Sequence, residues 1–595
     1  MNKPKLLYFL ARPQGYAVNS IEGTVDRLLR GFQEFFEVRV ISEDADYDQA
    51  CETHQPDITV FDCGDEAPGS RLTITNTQTH PHVPRVGIMK GDSHSCSRVR
   101  CQREIEMWGL EALFTQGDLS LKESLPAIRH MIFDYPFYIN PEVFHDYGQS
   151  KTIPVLFVGR FDGRGQSYAW RQRIIHEITP HYPALVFPHP GYDKSVTPAY
   201  RITGADYART LNSAYFAPTC GDFCRIVVKK HLEIPAAKCG LIAERTPAVE
   251  AFGFVDMENC VLADTGDVRD KLDHLFTHRD ELERLIENGH RLVHSRHTYR
   301  QRPQLLQYCR LRQQRGPGQQ IVQTGLFDDL KLVDTQAAPR PFLFVCGGRD
   351  REALRQGDEL FARHQYRLAA RHYRQGRQFR PWISEVELRL AQCHLRCGQR
   401  CEALRTILRL NDRVLRRFDS PAPDPVEWAT LLTALLAAGR LADATEFAGF
   451  FPTLAHPQLD AVRVGIAVLS GQPSPPTGGP PHLTIHDSPA RPLAEHLHDL
   501  AKTLRACRQW TWARRLKRAA PAPSATGPAP VQPVNRAAIL HALERVSPGR
   551  GFFRENLRPV KIALRPALRT ILTSLPRRLS RLSVQVGKLR VWLEG

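Results

Sequence analysis

The chain has 595 residues, of which 42% are hydrophobic and 24% charged, and its formal net charge is +17. This length has room for three or four domains, and no stretch approaches the ~20 consecutive apolar residues of a membrane-spanning helix. The 14 cysteines are scattered rather than arranged as a small disulfide framework, which is typical of a reducing compartment. The N-terminus has no signal-peptide cleavage pattern, so we expect a cytoplasmic protein.

Short apolar strands alternate with helical segments in the first 150 residues. Strands are predicted over 6–11, 38–41, 57–61, 86–89 and 111–115, with an amphipathic helix over 21–36. This alternation favours a parallel, doubly wound sheet. A GxGxxG motif is missing, so a nicotinamide cofactor is not indicated. Residues 1–150 are therefore predicted to form a Rossmann-like domain.

A second α/β unit is predicted over residues 151–305. It opens on a strand over 154–160 that ends in Val-Gly-Arg160, and further strands are predicted over 186–187 and 215–217. Two Rossmann-like domains then face each other across a cleft. In such sheets ligands bind at the carboxyl ends of the strands.

Residues 227–254 read VVKKHLEIPAAKCGLIAERTPAVEAFGF. Lys229 and Lys230 precede Glu233 on a short helix that we expect to end at Gly240. A buried strand is predicted over 241–243, and Thr246 with the following proline opens another helix. This order brings a carboxylate, two ammonium groups and a helix N-terminus to the cleft.

This motif resembles the C-terminal domain of GT-B glycosyltransferases of the CgeB-like kind, within glycosyltransferase families 1 and 4. The similarity continues to His297-Thr-Tyr-Arg300 and covers about 150 residues. It implies a nucleotide-sugar site in which Glu233 holds the ribose hydroxyls. Many retaining relatives carry a second Glu eight positions earlier, where this chain has Arg225. The alternative for Glu233 is a helix cap.

The resemblance and the strand ends give further candidates for nucleotide-sugar binding. Arg160 follows a strand and can meet a diphosphate with its fork of donors, or it lies on the solvated surface. Lys229 and Lys230 are candidate diphosphate partners. Gly240 belongs to the motif, and Thr246 offers a hydroxyl to phosphate or ribose or serves as a helix cap only.

Candidate catalytic residues lie in the N-terminal domain, which the resemblance makes the acceptor domain. Asp92 and His94 follow the strand over 86–89, where an inverting transferase keeps a general base. A turn with an Asx cap explains the same residues. No metal site is expected, because the spacing of the neighbouring His and Cys residues fits no zinc pattern. Those residues are His80, His82, His94, Cys96 and Cys101.

The rest of the chain is predicted to be helical or flexible. Residues 306–350 have the composition of a linker, and small residues recur with a 34-residue period over 351–470. That period predicts an all-α tetratricopeptide-like domain, with a generic helical hairpin domain as the alternative. Residues 471–550 are Pro-rich and expected to be partly disordered. Residues 551–595 form a basic amphipathic tail.

The tail explains the charge of the chain. Residues 501–595 hold 20 Lys or Arg and three acidic residues, and the rest of the chain is neutral on balance. Interleaved Leu and Val at helical spacing favour an anionic membrane surface over nucleic acid as the partner. Packing on the repeat domain is the alternative. We do not expect nucleic-acid binding.

These patterns together predict an α/β fold with two Rossmann-like (GT-B) domains, a tetratricopeptide-like domain and a basic helical or disordered tail. The expected activity is hexosyl transfer from a nucleotide-diphosphate sugar to a glycan, lipid-linked or protein acceptor, without a cofactor. The expected place is the cytoplasm, with attachment to the inner face of the membrane through the tail. Two alternatives stay open: a non-catalytic scaffold that binds partner peptides through its repeats, and a sugar-nucleotide epimerase.

Overall fold

The computed structural model describes residues 3–10, 18–64, 71–89, 94–117, 119–159, 166–188, 202–380, 382–473, 479–487, 491–518 and 535–547. The predicted tail, 551–595, lies outside these residues. In the part of the chain that the structure describes, no helix combines the length and apolar character needed to cross a bilayer. All 14 cysteines are described, and all are free thiols.

A parallel sheet organises the N-terminal part of the chain. In chain order its elements are β1 (Lys5–Phe9), α1 (Val18–Phe35), β2 (Glu37–Ile41), β3 (Ala45–Asp46), α2 (Tyr47–His54), β4 (Ile58–Cys63), β5 (Ile74–Thr75), β6 (Arg85–Met89), α3 (Ser97–Trp108), β7 (Ala112–Gln116), α4 (Leu121–Ser124) and β8 (Ile132–Tyr135). The six main strands lie in the order β2-β1-β4-β6-β7-β8, and every neighbouring pair is parallel. The strands β1, β4, β6 and β7 are almost wholly buried, as expected for a sheet covered on both faces.

A second parallel sheet follows. Its elements are β9 (Ile153–Gly159), α5 (Ala169–Ile178), β10 (Ala184–Pro188), α6 (Gly204–Asn212), β11 (Ala214–Thr219), α7 (Lys229–Ala236), β12 (Gly240–Ala243), α8 (Pro247–Ala251), β13 (Val261–Leu262), α9 (Val268–Thr277) and α10 (Arg279–Arg296). The strand order is β10-β9-β11-β12-β13, all parallel. The predicted α/β class with two parallel sheets is confirmed.

The chain then returns to the first sheet. The range predicted as a linker contains all but the first two residues of α11 (Gln304–Gln314) and an antiparallel pair, β14 (Gln319–Val322) and β15 (Lys331–Asp334). The Tyr308 ring of α11 packs edge-on against Phe114 and Phe133. Composition pointed to a linker because the segment is polar overall, yet one apolar face of α11 is buried.

Helices make up the rest of the described chain. They are α12 (Arg349–Ala362), α13 (Tyr366–Phe379), α14 (Ser384–Arg396), α15 (Arg400–Asp412), α16 (Pro425–Ala437), α17 (Leu441–Gly449), α18 (Pro457–Ser470), α19 (Leu493–Ala506), α20 (Trp510–Arg518) and α21 (Arg536–Val546). We call α12–α21 the helical part. A Cβ at Gly357 would lie 2.3 Å from the Tyr373 ring, so this small residue permits the close packing of α12 on α13.

Three of these helices, α19, α20 and α21, lie in the range predicted as Pro-rich and partly disordered. They form because Leu497, Leu500 and Leu504 of α19 lie at helical spacing and are buried. The assignment of the helical part to tetratricopeptide repeats stays a prediction.

The helical part packs directly on α3 of the first sheet. Arg98 of α3 is fully buried and donates two hydrogen bonds to Glu385 of α14, at 2.9 and 2.5 Å. Arg103 donates to the Leu483 carbonyl, and Glu106 accepts the Leu483 backbone N–H at 2.5 Å. One apolar core also continues from the first sheet into α14–α21. The helical part is therefore built onto the α/β body.

Candidate functional site

The carboxyl ends of β9, β11 and β12 lie side by side in the second sheet. The strand order changes direction between β9 and β11, and open α/β sheets bind ligands at such a point. Gly159 ends β9 with φ +136°. A Cβ there would lie 2.4 Å from Lys230 Nζ and 2.9 Å from Arg171 Nη1, so only glycine lets these two cations meet the strand end. We call the space at these strand ends, with Arg171, Lys230 and Glu233 beside it and Arg27 of α1 facing it, the crevice.

Lys230 of α7 lies at the centre of the crevice. Its Nζ donates to the Val158 carbonyl at 2.6 Å. Burial and the neighbouring Arg171 guanidinium lower the pKa of Lys230 to about 7. Lys230 and Arg171 therefore lie together at the end of β9.

Glu233 lies three residues further along α7 and is half-buried. Burial raises the pKa of its carboxyl, and Lys229, Arg27 and Lys230 oppose that rise. The predicted grouping of Glu233 with Lys229 and Lys230 on one helix is thus present in the structure. The binding roles of these residues stay predictions.

Arg27 reaches the crevice from α1 of the first sheet. Its Nη2 donates to Gln116 Oε1 at 3.3 Å, and its guanidinium lies 5.4 Å from the centre of the Phe137 ring. Burial lowers the pKa of Arg27, and Tyr138 and Glu233 oppose the change. Arg27 and Glu233 therefore interact across the space between the two sheets.

Several buried polar atoms around Glu233 have no hydrogen-bond partner among the described residues. They are Arg27 Nε, Arg171 Nε and the Tyr207 hydroxyl. Burial and the charge of Glu233 raise the pKa of Tyr207 well above its usual range, so the hydroxyl keeps its proton. Buried donors without a partner are rare in folded proteins, and their grouping indicates a place for a polar ligand.

Two predicted residues take structural positions. Gly240 does not end α7, which stops at Ala236, but begins β12 at the amino edge of the sheet, away from the crevice. A Cβ there would lie 2.6 Å from the Phe216 ring, so glycine is needed for strand packing and this placement gives no support for ligand binding. The Thr246 hydroxyl accepts the Val249 N–H at 3.2 Å and caps α8. Arg160 lies outside the described residues.

His94 is fully buried where the two sheets meet the helical part. Its Nδ1 lies 2.5 Å from Asp350 Oδ2, and its Nε2 lies 2.9 Å from Ser120 Oγ. Cys224 Sγ is also near, and the three ligand-type atoms lie within 4.8 Å of one another. Two ligands of a tetrahedral zinc ion stand about 3.3 Å apart, so the 2.5 Å His94–Asp350 contact is that of a direct hydrogen bond.

The prediction that His94 is a general base stays a prediction. In this structure both ring nitrogens of His94 have a partner, Nδ1 in Asp350 and Nε2 in Ser120. Asp92 lies outside the described residues. Sequence reasoning missed Arg27, Arg171, Tyr207 and Asp350, because each comes from an element far along the chain from the motif.

Residues 168–307 match the family model described as "Glycosyl transferase-like". No curated protein matches the chain. A sucrose-phosphate synthase from Thermosynechococcus elongatus is similar at 11% identity and TM-score 0.37, covering 52% of this chain and 99% of that one.

Two further solved structures are similar at the same level. HepE from Anabaena in complex with UDP and glucose has 7% identity and TM-score 0.35, covering 51% and 98%. A glycosyltransferase from Rickettsia africae has 10% identity and TM-score 0.35, covering 53% and 100%. The family match contains Arg171, Lys230 and Glu233, and the finer CgeB-like assignment stays a prediction. The part of the chain that carries these crevice residues is thus similar to glycosyl transferase-like proteins.

Proposed function

We propose that the protein is a GT-B glycosyltransferase that moves a sugar from a nucleotide-diphosphate donor to a glycan, lipid-linked or protein acceptor. The observation that carries the proposal is the crevice itself. Lys230 and Arg171 flank Gly159, Glu233 lies on the same helix as Lys230, and buried donors without partners surround them. The match of residues 168–307 to a glycosyl transferase-like family supports the same activity.

Each crevice residue has a role in this proposal. Glu233 accepts hydrogen bonds from the ribose hydroxyls, and Lys230 with Arg171 binds the diphosphate. When the bond between the anomeric carbon and the diphosphate oxygen breaks, negative charge develops on the leaving oxygen. Cations fixed beforehand in a partly buried site stabilise that charge at low reorganisation cost. Lys229 adds to the positive potential, and Thr246 keeps a hydroxyl proton to donate.

The proposal is tested by a thermal-shift screen of UDP-, GDP-, ADP- and CMP-sugars. The full chain is used because its α/β body shares one apolar core with the helical part. A specific donor should raise the unfolding temperature by mass action, with release of free sugar or transfer as the second readout. The variant Lys230→Met lacks the ammonium group, so the donor should not raise its unfolding temperature. Absence of any shift and of any turnover would favour the non-catalytic scaffold.

Donor binding should weaken as the pH rises above about 7. An anionic diphosphate selects the charged form of Lys230, whose pKa is about 7 in the free protein against an ordinary value of 10.5. Below pH 7 the ammonium is already present, so affinity is at its maximum. Above pH 7 the protein must take up a proton to bind, and the affinity should fall by up to about tenfold per pH unit.

This pH dependence is measured by calorimetric titration with the nucleotide sugar that the screen identifies. A nucleotide sugar is the right probe because its diphosphate does not titrate near neutral pH. In Lys230→Met the dependence should disappear. An affinity that is constant from pH 6 to 9 in the unmodified chain would exclude Lys230 from the diphosphate site.

A further inference from the structure

Two arginines approach the same carboxylate oxygen next to the crevice. Arg349 Nη2 donates to Glu244 Oε1 at 2.8 Å, and Arg225 Nε lies 3.9 Å from the same oxygen. The side chains of Arg225 and Arg349 are 30% and 32% exposed, whereas that of Glu244 is 12% exposed. Both arginine side chains are therefore partly exposed to solvent, whereas the carboxylate is mostly buried.

The pair lies at the ligand-binding edge of the second sheet. Thr219 and Ala243 are partners at the ends of β11 and β12. Arg225 lies in the loop after β11, and Glu244 directly follows β12. The loop that carries Arg225 continues into α7, so Arg225 and Glu233 belong to the same structural unit.

Arg349 comes from the helical part and is fixed against this loop. Its backbone N–H donates to the Phe223 carbonyl at 2.9 Å. A Cβ at Gly348 would lie 3.4 Å from Cys224 Cα and 2.8 Å from Asp350 Oδ1. A residue without a side chain is thus needed for the start of α12 to come this close. These backbone contacts place Arg349 of the helical part at the edge of the crevice.

Two guanidinium groups approach the same carboxylate at this point. The neighbouring Arg245 is compensated by Glu250 at 3.0 Å and Asp256 at 2.9 Å. Arg225 and Arg349 have no such separate carboxylates in the part of the chain that the structure describes, and they share Glu244. Arg225 Nε is buried without a hydrogen-bond partner among the described residues.

The backbone at Arg225 is also unusual. Its φ is +58°, in the left-handed region that residues with a Cβ seldom occupy. Such conformations persist where the surrounding structure imposes them and cluster at functional sites. The Arg225 side chain passes toward Glu244 and the Arg245 carbonyl, to which Nη2 donates at 3.0 Å.

We propose that Arg225 and Arg349 bind an anionic group of the substrate, a carboxylate or a phosphate, in addition to the diphosphate. The proposal rests on the proposed glycosyl transfer and deepens it, because it assigns the substrate to an anionic class. Arginine matches both groups with its planar fork of donors. The anion belongs either to the transferred sugar or to the acceptor. Glu244 holds the two guanidinium groups in place.

Calorimetric titration of the full chain separates the two sources. The donor arm compares UDP-glucose with UDP-glucuronate, and GDP-mannose with GDP-mannuronate. The acceptor arm compares glucose with glucose 6-phosphate and with glycerol 3-phosphate, in the presence of UDP or GDP. In one arm the anionic member should bind at least about tenfold more tightly than its neutral partner. Affinities within twofold in both arms, or no binding of any anionic probe, would overturn the proposal.

The variants Arg225→Gln and Arg349→Gln should each remove most of this preference. Binding of the neutral partner and of UDP should change little, because Lys230, Arg171 and Glu233 are untouched. Arg225→Gly is the second test, since glycine adopts φ +58° without strain and should keep the fold while abolishing the preference. Arg245→Gln is the matched control and should keep it. A variant series that loses neutral and anionic probes equally would count against the proposal.

Failure of this proposal and failure of the proposed function give different results. Nucleotide binding that depends on Lys230, with no preference for anionic partners, would keep the glycosyltransferase and remove the arginine site. Binding of glucose 6-phosphate that depends on Arg225, without any nucleotide binding, would keep the arginine site and remove the proposed donor.

Discussion

Replacing Glu233 by Gln should weaken nucleotide-sugar binding by roughly ten- to a hundredfold with little change in the unfolding temperature. Gln keeps the size of the side chain but removes the charged acceptor, and hydrogen bonds to charged groups contribute about 1.5–3 kcal/mol. The same change removes a negative charge from beside Lys229, Lys230 and Arg27. Binding of inorganic pyrophosphate should therefore not weaken. The comparison of the two ligands isolates the contact with the ribose.

The control for this experiment is Glu283→Gln, which changes an exposed carboxylate of α10 in the same sheet domain. It should leave both affinities as they are. Equal affinities of Glu233→Gln and the unmodified chain for the nucleotide sugar would take Glu233 out of the site. If Glu233→Gln lost affinity for the nucleotide sugar and for pyrophosphate to the same extent, the carboxylate would support the fold of α7 rather than bind ribose.

Local patterns were sufficient for the elements that carry the crevice. Alternating apolar runs identify the strands because each parallel strand is buried on both faces, and β1, β4 and β9 lie within a few residues of their expected ranges. Lys230 and Glu233 are three residues apart on one helix, so their proximity follows from sequence alone. These are contacts between residues that are close along the chain.

The rest of the crevice depends on contacts between distant parts of the chain. Arg27, Arg171 and Tyr207 come from α1, α5 and α6, and each reads in sequence as an ordinary helix residue. Gly240 was expected to stop a helix, because glycine is common there. Glycine is needed at position 240 because a Cβ there would clash with the Phe216 ring of the neighbouring strand β11. That ring is near only because β11 and β12 pair.

The same dependence on distant contacts explains why the sequence does not predict the burial of α3. Its charged residues Arg98, Arg100, Arg103 and Glu104 are buried, although their types predict an exposed helix. Burial is tolerated because each has a charged or carbonyl partner, and for Arg98 and Arg103 that partner belongs to the helical part or the segments between its helices. A pattern of charge in one segment cannot reveal a partner 287 residues away. The docking of the helical part was therefore missed.

This docking leads to the largest stability effect that we expect. Glu385 of α14 accepts hydrogen bonds from Arg98 Nη1 at 2.9 Å and from Arg351 Nη1 at 2.9 Å. Glu385→Gln would leave two buried guanidinium groups without their shared carboxylate. Removing one partner of a buried ion pair typically costs about 3–5 kcal/mol. We expect a loss of this size in the free energy of unfolding, measured by urea denaturation at pH 7.

The acid dependence of unfolding provides the second readout for Glu385. Burial opposes the charged form, but Arg351 and Arg98 hold the pKa of Glu385 well below its usual range. A lowered carboxyl pKa gives stability that is complete above the unfolded-state pKa of about 4.3 and is lost as the pH falls toward the folded-state value. In Glu385→Gln that part of the acid sensitivity should disappear. The control Glu402→Gln removes an exposed carboxylate paired with Arg405 on α15, and it should change stability by less than about 1 kcal/mol with the acid dependence intact. Equal stabilities of the two variants would show that the Arg98–Glu385 contact does not hold the helical part on α3.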